Sequence, residues 1–207
     1  MKVVIITAPM RQPDQIEKVQ YPVNGNKAIE YEKPVRCPVN GVLAKTMKKD
    51  EQVRVVYIMT CGENSECEQN RKNFTDELEE INAEIGAVLS YDTVEIDFLP
   101  TKQTYNKLLT DLTEKIPENA EVFTDITFGS KPEILSLFCA LRFVEEFRDA
   151  IVQYIVYGKA EFNKDGQIEN PVLCDITSLY YLFKLIGNIG NADFENASRM
   201  LKDFFAL

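Results

Sequence analysis

The chain contains no histidine. Imidazole is the usual general base near neutral pH and the partner of most Ser or Cys nucleophiles. Its absence excludes Ser-His and Cys-His hydrolase arrangements. Any chemistry must come from Lys, from Asp or Glu, from Ser or Thr hydroxyls, or from positioning alone. The same gap leaves a zinc site to Cys and acidic ligands. The five Cys, at 37, 61, 67, 139 and 174, are odd in number and lack disulfide-like spacing. Cys139 falls inside an apolar helical pattern and Cys174 beside a strand or helix start, so both read as buried free thiols. Cys61 and Cys67 fall on a polar loop. No metal ligand set and no cofactor are assigned.

Long apolar runs are also missing. None reaches bilayer-spanning length, so no membrane association is expected. Met1–Thr7 is strand-like, with no signal-peptide apolar region or cleavage site, which points to the cytoplasm. Positive charge is scarce: 23 Lys and Arg stand against 33 Asp and Glu, a net charge of −10. Long DNA or RNA would be repelled by such a surface. A small anion remains admissible wherever a pocket is locally positive. Hydrophobic residues make up 45% of 207, the share of a globular core rather than a disordered chain. One domain over 1–207 is expected, with 10–38 as an insertion serving as lid or interface element.

The elements alternate. Val3–Thr7 reads as a buried parallel strand. Residues 8–38 are polar and Pro-rich, and Pro-Val-Asn-Gly occurs at 22–25 and again at 38–41. Asn-Gly is a turn signal. Lys27–Glu32 reads as a short strand or hairpin arm. Helix follows over 40–49, strand over 52–60, helix over 70–85 and strand over 92–99. Thr101 is placed to cap a helix that runs to Ile116. A strand over 120–127 precedes a helix over 133–147 that is apolar nearly all round and so reads as central. Strands at 150–157 and 172–176 and a helical region from about Ser178 complete the chain. This order predicts an α/β, Rossmann-like, doubly wound and mainly parallel sheet with helices on both faces.

The most telling stretch is Glu121-Val-Phe-Thr-Asp-Ile-Thr-Phe-Gly-Ser-Lys-Pro-Glu133. A strand ends at Asp125 and Thr127, a Gly turn follows, and a capped helix begins. Open α/β sheets bind ligands in the crevice at such strand ends. Gly129 lets backbone N–H groups approach a ligand. Ser130 and Glu133 fit a capping box. Lys131 adds a point charge beside a helix N-terminus that favours anions. Phe128 and Pro132 complete the loop. Two roles stay open for Asp125: a ligand carboxylate, or a buried acid bonded to backbone N–H groups. The loop after the first strand carries Thr7, Ala8, Pro9, Met10 and Arg11, with the Arg11 guanidinium a bidentate phosphate donor. The loop after the second strand carries Thr60, Cys61, Gly62 and Glu63. All face one sheet edge. The Walker pattern is absent, which disfavours triphosphate hydrolysis.

At Asp125-Ile-Thr-Phe-Gly-Ser-Lys-Pro132 the chain resembles the CARF family, the CRISPR-associated Rossmann fold sensors. The resembled branch carries Asp-x-Thr-His-Gly at a strand end before a long apolar helix; Phe128 stands where it has His. Val152–Lys159, Cys174–Leu179 and Pro38–Ala44 are similar to that branch as well, so the resemblance spans nearly the whole chain. It implies a homodimer whose two ligand edges form one two-fold pocket for a cyclic oligoadenylate of type III CRISPR antiviral signalling. Family frequency favours the tetra-adenylate over the hexa-adenylate. Family members usually add an effector domain. This chain stops at Leu207, so the expectation is a stand-alone member, or the sensor part of something longer that controls an effector domain or partner protein.

Stand-alone members include ring nucleases. In their reaction a ribose 2′-hydroxyl attacks its own phosphate and leaves a 2′,3′-cyclic phosphate, without His or metal. The resemblance implies that Lys131 holds the phosphate and that Thr7 or Ser130 fixes the scissile geometry. Two other readings stand beside this one. One is a non-catalytic sensor that keeps the ring intact. The other is an unrelated Rossmann-like enzyme acting on a nucleotide or sugar phosphate.

Overall fold

The computed structural model describes residues 1–61, 65–97, 99, 101–164, 168–190 and 192–205. Seven strands form one sheet: β1 (Lys2–Thr7), β2 (Val23–Asn24), β3 (Gln52–Cys61), β4 (Val88–Asp97), β5 (Glu121–Asp125), β6 (Ile151–Phe162) and β7 (Ile168–Asp175). Their order across the sheet is β2-β7-β6-β5-β1-β3-β4. The run from β6 to β4 is parallel throughout, and β7 turns back antiparallel on β6. The helices are α1 (Pro38–Thr46), α2 (Ser65–Ile85), α3 (Lys102–Lys115), α4 (Lys131–Phe147), α5 (Thr177–Asn188) and α6 (Phe194–Phe205). This is the Rossmann-like, mainly parallel α/β sheet that the alternation predicts.

The burial pattern follows the period of a strand. Val4 and Ile6 of β1 face one core with Val53, Val55 and Tyr57, under α1 and α2. Val3 and Ile5 face the other with Val56 and Ile58, under α3, α4 and α5. Both faces of β1 are therefore covered, which explains its unbroken apolar run. The chain builds outward from β1 to β3 and β4, then returns to lay β5 and β6 on the other side. The reversal lies between β1 and β5, and there the carboxyl ends of the strands leave a crevice.

Several expectations change. Residues 27–29 form a 3₁₀ turn, not a strand; the extended pair is Val23–Asn24, which adds to β7. Helix α2 begins at Ser65, so Cys67 is a buried helical residue rather than a loop thiol. The C-terminal helical region is two helices. Helix α4 is not central: its inner face packs on the sheet, yet Leu135, Phe143 and Phe147 are exposed. Cys139 is exposed with them and Cys174 is half-buried, against the expectation of two buried thiols. The lid or interface segment is partly sewn into the fold, because Ile16, Val23, Ile29 and Val35 are buried and Val19 bridges Val35.

The two Pro-Val-Asn-Gly copies take opposite roles. In the first, Gly25 adopts φ +104°, a turn conformation suited to glycine. The second opens α1, with Pro38 at the first helical position and Asn40 fully buried. Asn40 Nδ2 donates to Phe74 O and to Glu77 Oε2, both at 3.0 Å. Tertiary bonds thus override the local turn preference.

Gly158 in β6 marks a close approach to that helix start. A Cβ there would sit 2.6 Å from Pro38 Cγ and 3.2 Å from Thr127 Oγ1. Gly158→Ala is expected to cost about 1–3 kcal/mol through overpacking. The expected readout is a lower urea midpoint at unchanged slope.

Candidate functional site

The loop after β5 is built by three local bonds. Asp125 Oδ1 accepts the Thr127 N–H at 2.8 Å, closing an Asx turn. Gly129 follows at φ +101°, where a Cβ would press on Thr7 and on the Glu133 carboxylate. Ser130 then caps α4: its hydroxyl accepts the Glu133 N–H at 3.4 Å, and Glu133 Oε2 accepts the Ser130 N–H at 2.9 Å. The capping box read from the sequence is therefore present.

Asp125 resolves to the second of its two roles. It is 2% exposed and turns away from the crevice. Its Oδ2 accepts the Val39 N–H at 3.0 Å, at the start of α1, with Cys37 Sγ at 3.8 Å. Burial raises its carboxyl above the ordinary value, against the pull of the hydrogen bonds from Thr127, Val39 and Cys37. The Cys37 thiol is pushed up in turn by burial and by Asp125 and Glu77. The Glu77 carboxylate accepts from the Arg36 and Cys37 amides at 2.8 and 3.2 Å. Two carboxylates thus hold the N-terminal turn of α1. The Thr127 hydroxyl is also committed, accepting the Gly158 N–H at 2.8 Å.

A cavity of about 700 Å³ opens in front of this loop, at the carboxyl ends of β5, β1, β3 and β4. Its walls include Thr7, Ala8, Pro9, Met10, Arg11 and Thr60, as well as Thr127, Phe128, Gly129, Ser130 and Pro132. These are the predicted ligand residues from three separate loops, brought to one place. Asn70 fixes the first loop from below, its Nδ2 donating to Pro9 O and Arg11 O, each at 2.8 Å. Phe128 packs on Phe74, with ring centroids 5.8 Å apart. On its far side lies a smaller cavity of about 150 Å³, bounded by Arg11, Arg36, Tyr21 and Tyr157.

Two predicted residues stand apart. Lys131 is exposed at the first turn of α4 and does not line the cavity. Asp125 is walled off behind Thr127. Cys61 ends β3, while Gly62 and Glu63 lie outside the described residues.

Four lining residues escaped the sequence reading: Ile96 and Asp97 at the end of β4, and Thr104 and Tyr105 at the start of α3. The signal was available, since a strand end followed by the Thr101 cap is the same pattern used at β5. Glu133, read only as a helix cap, also lines the cavity. Its carboxylate already occupies the Ser130 N–H, so an anion there would compete with it. Among the described residues, no three His, Cys, Asp or Glu side chains gather into a metal-holding group.

One turn beyond Ser130 an apolar stripe begins on the outer face of α4. Leu135, Cys139, Phe143 and Phe147 recur at helical spacing, with Leu135 67% and Phe147 69% exposed. Helix α5 lies beside α4: Tyr180 Oη donates to Glu145 at 2.6 Å, and Lys184 pairs with Glu145 at 3.4 Å. It adds Leu179, Phe183 and Ile186, all exposed. Among the described residues, no helix is long and apolar enough to cross a membrane.

No family model and no curated protein matches the chain. Among solved structures it is similar to Enterococcus italicus Csm6 bound to cyclic hexa-2′-fluoro-hexa-dAMP, at 15% identity and a TM-score of 0.41. The match covers 99% of this chain and 50% of that one, so the chain spans half the length of that protein.

Proposed function

We propose that the chain binds a cyclic oligoadenylate, with the crevice of each of two copies gripping one half of the ring. The observation that carries this reading is the pairing of two features. A cavity of about 700 Å³ ends at Gly129 and the start of α4. An apolar stripe left exposed among the described residues starts one turn further along the same helix. The first suits a phosphate-bearing ligand, through the Ser130 and Thr7 hydroxyls, Arg11 and close backbone approach at Gly129. The second suits a two-fold partner, which would set two such cavities side by side. The Asp125–Pro132 motif and its resemblance to CARF sensors supply the ligand class. The tetra-adenylate is the ring expected, in type III CRISPR signalling.

Ring cleavage is a second reading, favoured by the Thr7 hydroxyl. Its Oγ1 lies 3.2 Å from where a Cβ on Gly129 would be, at the place a phosphate would approach. Held in line, a ribose 2′-oxygen bonds to phosphorus and the bond from phosphorus to the 5′-oxygen breaks. The 2′-proton leaves to solvent and the 5′-oxygen takes one up. Positioning supplies much of the acceleration, and a cation stabilises the developing charge.

The test is mass spectrometry of protein incubated without metal with cyclic tri-, tetra- and hexa-adenylate. Linear products ending in a 2′,3′-cyclic phosphate are expected if the chain cleaves, and Thr7→Ala should slow that cleavage at least about 10-fold, whereas Lys131→Ala, outside the cavity, should leave it nearly unchanged. Unchanged cleavage in Thr7→Ala would remove that hydroxyl from the reaction. A ring recovered intact at one per dimer would make the chain a sensor acting on a partner. Neither binding nor cleavage of any ring would overturn the ligand class and leave a nucleotide or sugar-phosphate enzyme as the reading.

A further inference from the structure

We infer that the β4–α3 end of the cavity is a base subsite, in which Asp97 accepts a hydrogen bond from the 6-amino group of adenine and Tyr105 stacks against the ring. The inference rests on the nucleotide reading above and adds base recognition to it. The cavity runs from Gly129 and Ser130, past Thr7 and Thr60, to Asp97 and Tyr105. It therefore crosses the ends of β5, β1, β3 and β4, which are neighbours in the sheet. Three strand spacings make about 14 Å, enough to lay one nucleotide across with its phosphate at α4 and its base at β4.

The two ends differ in chemistry as that orientation requires. The α4 end offers the Thr7 and Ser130 hydroxyls and the backbone at Gly129, its Ser130 N–H being held by Glu133. The β4 end offers a carboxylate. Asp97 is exposed at the last position of β4 and makes no hydrogen bond or ion pair among the described residues. An ionised carboxylate only accepts. It would repel a phosphate and the 6-oxo group of guanine or hypoxanthine, and it would welcome an amino group. The other lining carboxylate, Glu133, is already engaged by Ser130.

Two polar side chains near Asp97 are already bonded. The Thr104 hydroxyl donates to Leu99 O at 2.8 Å and meets the Thr101 hydroxyl at 2.9 Å. The Lys107 amine is taken by Glu95 O and Asp111. Ile96 gives an apolar floor, buried to 2% exposure. Tyr105 is half-buried beside it and supplies an aromatic face. An apolar wall and an aromatic face beside a carboxylate acceptor recognise a base by stacking and by one donor.

The experiment measures binding of cyclic tetra-adenylate and its all-inosine counterpart, in which each 6-amino group is a 6-oxo group. The wild-type chain is expected to prefer the adenine ring by about 10- to 100-fold, the worth of a hydrogen bond to a charged group. Asp97→Asn should bring the two rings within a few-fold of each other, because an amide can face either edge. Tyr105→Leu should weaken both rings by about 10-fold without changing the preference. Equal wild-type binding of both rings would overturn the base subsite and leave the ring reading standing. So would an unchanged preference in Asp97→Asn. No binding of either ring would overturn both.

Discussion

The double variant Leu135→Glu, Phe147→Glu is expected to run as a monomer in sedimentation equilibrium and to lose ring binding with its dimer. Soluble monomers rarely leave a contiguous apolar surface of this kind uncovered. The α4 stripe and the exposed Leu179, Phe183 and Ile186 of α5 lie on neighbouring helices. A stable interface takes roughly 800 Å² from each partner, and two adjacent helices of 17 and 12 residues offer a face of that order. In a two-fold contact every substitution counts twice. Like charges forced together across an interface cost several kcal/mol, so the dimer dissociation constant should rise by at least about 1,000-fold. The fold itself should hardly respond, since both side chains already face water and surface changes usually stay within about 0.5 kcal/mol. An unchanged melting curve with lost dimer and lost ring binding is therefore the expected pair. A variant that stays dimeric would move the interface elsewhere. A wild-type chain that binds a ring as a monomer would sink the two-copy reading.

That apolar stripe is also where the sequence misled. A helix apolar nearly all round implies burial, and the expectation of a central α4 assumed that the burial comes from its own chain. Among the described residues Leu135, Cys139, Phe143 and Phe147 have no such cover, and no single-chain pattern distinguishes an exposed apolar face from a face in the core. The buried side of the argument transferred well. Continuous runs at 3–7 and 52–60, the Thr101 and Ser130 caps and the Gly129 turn all rest on local chemistry, and each appears at its place. The cavity was legible to the same extent. Thr7, Thr60 and Gly129 follow from strand ends in a parallel sheet. Asp97 and Tyr105 were missed, although the same rule applied to β4, one strand further out, reaches them. Asp125 was legible as polar and placed, but its direction was not. Which face of a loop a carboxylate takes depends on what packs behind it, here the amides of Cys37–Val39, distant in sequence and set only by the tertiary fold.

Asp125→Ala is expected to be the most destabilising single change near the site. The carboxylate accepts the Val39 and Thr127 amides at 3.0 and 2.8 Å while 2% exposed. Truncation leaves those buried donors without an acceptor, at about 1–3 kcal/mol each, and opens a small void beside Cys37. A loss of about 3–5 kcal/mol at this chain length lowers the melting midpoint by roughly 10 °C. The effect has a sign in pH as well. Burial raises the Asp125 carboxyl above its ordinary 3.8, so the folded chain holds that proton more tightly than the unfolded chain. The contribution of that proton is full below the unfolded value and fades as pH rises through the folded one. Asp125→Asn cannot titrate. The stability gap between wild type and Asp125→Asn should therefore be widest in acid and narrow as pH rises across that window. A gap that widened with pH would mean that the three donors outweigh burial and that the carboxyl is depressed. Because Asp125 anchors both α1 and the Thr127 turn, Asp125→Ala should also weaken ring binding through a displaced Gly129 loop. That loss should be regained in Asp125→Asn, whose amide oxygen can still accept one of the two N–H groups. Equal ring binding in Asp125→Ala and wild type would separate the anchor from the site and leave the loop held by its capping box alone.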